Sequence, residues 1–195
     1  MIDTAPLFDS LDAIVAHLRD LGRRVPDLLQ AGLAEQEVRR WQAGLPFAFT
    51  RELAAIYQWR NGTRALPGDI LDELNFFPGY YFMSIDEAVR TFRERESAPQ
   101  WRKGWFPLFA DGAGDFYIVP CSKRTIDSSP VIGFLHGEPL QVPEYESITA
   151  MTRTLEAAFS EGAFYLDADD TLEINDERYQ LIANRFNPGI PEWQS

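Results

Sequence analysis

The chain offers few residue sets that could do chemistry. Cys121 and His136 are its one nucleophile–base pair, because 195 residues hold a single cysteine and two histidines. A thiol becomes a nucleophile only where a base or a positive field makes it a thiolate. Cys121 follows Pro120 at the end of an apolar run and His136 sits in a turn, so both read as structural, as does His17 beside a helical stripe. Asp111-Gly112-Ala113-Gly114-Asp115 has the glycines of a phosphate cradle. It lacks the Gly-Lys-Ser/Thr ending, and it leads into a strand pattern where a phosphate needs a helix N-terminus. Asp167-Ala168-Asp169-Asp170-Thr171-Leu172-Glu173 resembles the front of a calcium loop. Leu172 stands where the sharp-turn glycine belongs, and Arg178 where the bidentate glutamate belongs. Carboxylates are plentiful, but no spacing faces two of them across a cleft. The residues therefore predict no catalytic group, no metal site and no cofactor.

What the chain does have is charge. Its net charge is −12 with a pI near 4.6. Residues 138–195 hold 12 acids against three bases, so most of the excess lies in the last third. Asp167, Asp169, Asp170, Glu173, Asp176 and Glu177 crowd into 11 residues. Burying so many carboxylates without bases is too costly, and only Arg178 and Arg185 lie nearby in sequence. We therefore expect one exposed negative face. Such a face repels nucleic acid and speeds encounter with a basic protein. No run reaches the roughly 18 apolar residues of a spanning helix. Residues 1–6 lack the basic lead and apolar stretch of a signal peptide, and the cysteine has no partner, so a cytoplasmic protein without membrane contact is expected.

The elements that would position these residues follow from periodicity. Ser10 reads as the cap of a first helix with Leu11, Ile14, Val15, Leu18 and Leu21 on one stripe, stopped by Gly22. A second helix runs over 34–43, with Val38 and Trp41 as its apolar contacts. Thr50 caps a third, which buries Leu53, Ile56 and Tyr57 and ends at Asn61-Gly62. Residues 80–83 are strand-like, and Ser84 with Glu87 forms a capping box for a helix to about 96. Two aromatic, β-branched runs, 105–109 and 116–119, flank the Asp111–Asp115 turn and predict a hairpin. Strands follow at 131–135 and 140–142. Ser147 caps a helix that Gly162 ends. A strand at 164–166 and a last helix at 176–186 close the pattern, and Asn187-Pro188-Gly189 breaks it. Helices, then a strand meander, then helices is the α+β order.

Leu45-Pro46, the helix ending in Asn61-Gly62, and Trp105-Phe106-Pro107 through Gly112, Gly114, Asp115 and Tyr117 form an ordered set. Pro130–Gly137, the helix from Ser147, and Asn187-Pro188-Gly189 extend it. In that order and spacing the chain resembles the SUKH superfamily, the Smi/Knr group. The likeness is clearest over 40–190, with 1–40 a helical N-terminal part, so one domain over 1–195 is expected. The resemblance implies a mostly antiparallel central sheet flanked by helices. It also implies a binding role: bacterial members are read as immunity proteins against toxins, many of them nucleases, and fungal members as regulatory scaffolds. The family carries no agreed catalytic residues. Trp105, Asp111, Gly114 and Asp115 match its most recognisable positions, and Trp105, Asp111 and Asp115 join the six acids as candidate partner contacts. Asn61, Gly62, Pro107, Gly112, Gly114, Asn187, Pro188 and Gly189 are read as structural. The expected partner is a basic toxin domain; a scaffold or small-ligand module is the alternative.

Overall fold

The computed structural model describes residues 3–194, so the first two residues of the leader reading lie outside the described residues. The elements run α1 (Ala5–Asp20), α2 (Val25–Leu28), β1 (Leu29–Ala31), α3 (Glu35–Ala43), α4 (Arg51–Trp59), β2 (Arg60–Thr63) and α5 (Leu71–Leu74). Then come β3 (Tyr81–Phe82), α6 (Ile85–Arg95), β4 (Trp105–Ala110), β5 (Phe116–Pro120), β6 (Val131–Phe134) and β7 (Val142–Tyr145). Last are α7 (Ile148–Ser160), β8 (Phe164–Leu166), β9 (Leu172–Ile174), α8 (Asp176–Phe186) and a 3-10 turn, Pro191–Trp193.

An antiparallel five-stranded sheet, ordered β3-β4-β5-β6-β7, is the centre of this α+β fold. β4 is buried at every position, which is why its sequence is an unbroken apolar run instead of an alternation. Pro107, which has no N–H for the ladder, sits where the β4–β5 register shifts. One side of the sheet carries Phe106 and Phe109 against Phe49, Tyr57 and Phe76. The other carries Phe116 and Phe134 against Trp101. The helical layer is built by α1 on α7 and α7 on α8.

The hairpin stands as expected, with Asp111–Asp115 as its turn. Thr50 and Ser147 cap their helices, accepting from Leu53 N at 3.0 Å and Ala150 N at 2.9 Å. Three local readings are corrected. Ser10 is buried inside α1, which begins five residues earlier with a proline in its first turn. Trp41 is 38% exposed and lies outside the buried core. Ser84 makes no side-chain cap bond, and the Glu87 carboxylate accepts the Tyr81 hydroxyl at 2.7 Å. The Asn61 carboxamide takes the capping role from a distance, accepting from Ile85 N at 3.0 Å. Asn61-Gly62 also lies inside β2, past the end of α4. A Cβ at Gly62 would meet Ser84 N at 2.2 Å, so only glycine lets β2 press on the start of α6.

Candidate functional site

The central motif proves to be a self-contained turn. Asp111 Oδ1 accepts from Ala113, Gly114 and Asp115 N–H at 2.8, 2.9 and 2.8 Å. Gly114 holds φ +125°, a conformation open to glycine, and Gly112 at φ +81° faces the Leu71 side chain. Asp115 Oδ1 accepts from His136 N at 2.7 Å and ties the turn to the end of β6. Trp105, expected among the contact residues, is 4% exposed and packs on Trp101 and Phe134. It steadies the hairpin from within and has no face to offer a partner.

The acidic segment folds as the β8–β9 hairpin followed by the first turn of α8. Asp169, Asp170, Glu173, Asp176 and Glu177 are exposed. Asp167 is half-buried, because its Oδ1 accepts from Asp169 and Thr171 N–H at 2.9 Å each and makes the turn. Asp176 and Glu177 lie in the first turn of a helix, where the dipole favours carboxylates. None of the five exposed acids makes an ion pair among the described residues. The bases nearest in sequence are engaged elsewhere: Arg185 pairs with Glu161, and Arg178 donates to the Gly162 carbonyl. The positive charge that does reach this hairpin comes from Arg23. Its side chain is 8% exposed, and its guanidinium donates to the Asp170 carbonyl at 2.8 Å and pairs with Asp72 at 2.5 Å. A cleft of about 510 Å³ runs between Arg23 and Arg24 on one wall and Asp169–Thr171 on the other.

Asn187, at the break after α8, is fully buried and holds the C-terminal layer. Its Nδ2 donates to Thr154 Oγ1 and to the Ala183 carbonyl, each at 3.0 Å, and its Oδ1 accepts from Glu146 N at 3.0 Å. Pro188 is exposed, and Gly189 N donates to Glu146 Oε1 at 2.8 Å.

A second acidic feature was invisible in the sequence. Glu144, on edge strand β7, folds its carboxylate back across β6, where Gly133 leaves a slot; a Cβ there would stand 1.8 Å from Oε1. The Tyr117 hydroxyl donates to Oε2 at 2.9 Å. Aromatic rings line the neighbourhood: Tyr80 on Tyr117 at 4.7 Å, Tyr117 on Tyr145 at 5.7 Å, and Tyr145 on Trp193 at 6.2 Å. Trp193 Nε1 donates to the Glu144 carbonyl at 2.5 Å, and the Tyr145 and Tyr179 hydroxyls bond to each other. Burial pushes the Glu144 carboxyl up to about 7; the Tyr117 hydrogen bond opposes the shift and Glu192 adds to it. No sequence signal marks Glu144, because a lone acid among other acids reads as solvated until the fold turns it over β6.

The nucleophile–base pair is not assembled. Cys121 follows the β5 end opposite Trp105, and His136 follows the β6 end opposite Phe116. Burial pushes the Cys121 thiol up to about 12, so it stays protonated. Among the described residues no group of three or more His, Cys, Asp or Glu side chains could hold a metal ion, and no helix is long and apolar enough to cross a membrane.

The Tyr80–Glu144–Trp193 surface presents partly exposed rings and a carboxylate, and the acidic hairpin presents exposed carboxylates. A family model for the SMI1 / KNR4 family (SUKH-1) matches residues 32–154, well over half of the chain, and places the chain in that family. The matched span holds Asn61-Gly62, the Trp105–Asp115 motif and Glu144, while the acidic hairpin lies beyond it. No curated protein matches the chain.

Proposed function

We propose that this chain, a member of the SMI1 / KNR4 family (SUKH-1), is an immunity-type protein that binds and neutralises a basic, nuclease-type toxin domain. We read residues 1–195 as one such domain, cytoplasmic and non-enzymatic. The observation that carries the reading is the set of five exposed, unpaired acids on the β8–β9 hairpin and the start of α8. A nuclease holds phosphates with basic residues, so an acidic surface can occlude that site or imitate its substrate. The Tyr80, Tyr117 and Trp193 rings supply the aromatic contacts that dominate binding energy in protein interfaces. Neither surface suits nucleic acid or a membrane with an anionic face.

The test is rescue. One product of the genes flanking this chain's own should be a basic domain that stops growth when expressed alone, and co-expression of the chain should restore growth with a stoichiometric complex recoverable. Growth arrest that the chain does not relieve contradicts the reading. One observation favours a second reading, a small-ligand or scaffold module. An apolar-floored cleft of about 480 Å³, formed by Pro46, Phe47 and Phe92 with Lys103 and Lys123 also lining it, is of a size that takes small molecules.

A further inference from the structure

We propose that Glu144 is the receptor for an arginine side chain of the protein partner, held against the rings of Tyr80, Tyr117 and Trp193. The inference rests on the immunity reading for its partner, but its site stands on geometry of its own.

Carboxylates removed from water are paired with a base in almost every folded protein, since an uncompensated buried charge is expensive. Glu144 is half-buried and has no such base: no arginine, lysine or histidine forms an ion pair with it among the described residues. Its neighbours are acids and phenols. Tyr117 reaches it from β5, Tyr145 adjoins it on β7, Tyr179 lies on α8 and Glu192 on the 3-10 turn. Tyr80, on the loop before β3, feels Asp111 and Asp115 as well as Glu144. The phenols are neutral, since burial raises them above the ordinary tyrosine range, so the charge here is that of Glu144 with Glu192 nearby and Asp111 and Asp115 beyond Tyr80.

The arrangement is also built, not left over. Gly133 clears the slot, the Tyr117 hydroxyl fixes one carboxylate oxygen, and Oε1 has no donor among the described residues. Tyr80, Tyr117, Glu144 and Trp193 each keep part of their surface in solvent, so an incoming group meets the free oxygen and the rings together. One carboxylate is too few oxygens for calcium or magnesium, which take six or more ligands, and no histidine or cysteine forms a metal-holding group with it among the described residues. A guanidinium suits the set better than an ammonium. It is planar, stacks on aromatic faces, and donates in parallel to a carboxylate.

The experiment uses a probe that needs no toxin. N-acetyl-arginine methylamide is titrated into the full chain while the Glu144 side-chain carboxyl and the Tyr80, Tyr117 and Trp193 ring signals are followed by NMR. The citrulline and lysine counterparts serve as controls. We expect saturable shifts at all four residues with the arginine probe, together with a lowered Glu144 titration midpoint. The citrulline probe, which keeps the shape without the charge, should bind at least tenfold more weakly. Glu144→Gln should lose at least tenfold in affinity for the arginine probe. Tyr80→Ala, which leaves the carboxylate in place, should lose severalfold. The assignment is overturned if the arginine probe gives no saturable shift, if citrulline or lysine binds as tightly, or if Glu144→Gln binds as well as the parent. Toxin rescue can fail while the probe still binds, and the reverse, so the two readings fall separately.

Discussion

Glu144 holds its proton more tightly in the native chain than an unfolded one does. Its native value is about 7, against an ordinary glutamate value of about 4.3. The native state therefore binds more protons between those values, and stability must fall as pH rises through them. Measured against Glu144→Gln, the parent should lose on the order of 2 kcal/mol between pH 5 and pH 8, read from urea unfolding at each pH. Parallel stabilities at the two values would place the carboxyl in ordinary solvent. The residue scale is where the sequence was least legible. Asn61, Gly62 and Asn187 stood out by type, and so did Asp111 as a turn former. What they touch did not, because Asn61 caps a helix 24 residues away and Asn187 reaches Thr154. Glu144 and Glu52 gave no signal at all, since an acid in a polar stretch reads as solvated until a slot or a helix end is folded over it.

Among the elements, α7 shows how a distant side chain can anchor a helix. Glu52 is 2% exposed on α4, and its carboxylate accepts from Ile148 N at 3.1 Å, Thr149 N at 3.2 Å and Thr149 Oγ1 at 2.5 Å. Burial raises its carboxyl above the ordinary range, against the pull of those donors. Glu52→Ala would strand buried N–H groups at the α7 N-terminus and should cost about 2–4 kcal/mol. Glu52→Gln, which keeps an acceptor, should cost less than half of that. Chemical denaturation checks both, and an alanine variant within about 0.5 kcal/mol of the parent would remove Glu52 from the account. Long periodic elements were readable: α4, α6, α7, α8 and the β4–β5 hairpin fall where apolar spacing puts them. The four-residue helix α2 and the three-residue strand β1 were not, because one turn or one rung carries too little pattern to show a period. β9 escaped for a different reason. Its Glu173 points to solvent within an acidic run, and only pairing with β8 makes it a strand.

At the scale of the whole molecule, net charge of −12 was legible from composition, but its arrangement was not. The sequence offered Arg178 and Arg185 as the only nearby bases; the fold sends them elsewhere and brings Arg23 across from the other end of the chain. That leaves Asp169, Asp170, Glu173, Asp176 and Glu177 uncompensated, and a long-range negative field is what speeds encounter with a basic partner. If this field meets a basic toxin, its effect is on the rate of encounter. The most direct measurement is the association rate constant between the chain and the toxin domain that the rescue test identifies, at about 50 mM and about 300 mM salt, where the Debye length differs about 2.5-fold. The parent and an Asp169→Asn, Asp170→Asn, Glu173→Gln variant are compared. The account predicts a fast parent rate that falls steeply with salt, a slower and flatter rate in the variant, and dissociation changed less than association. An absent complex, or rates that are the same in parent and variant at both salts, would contradict it.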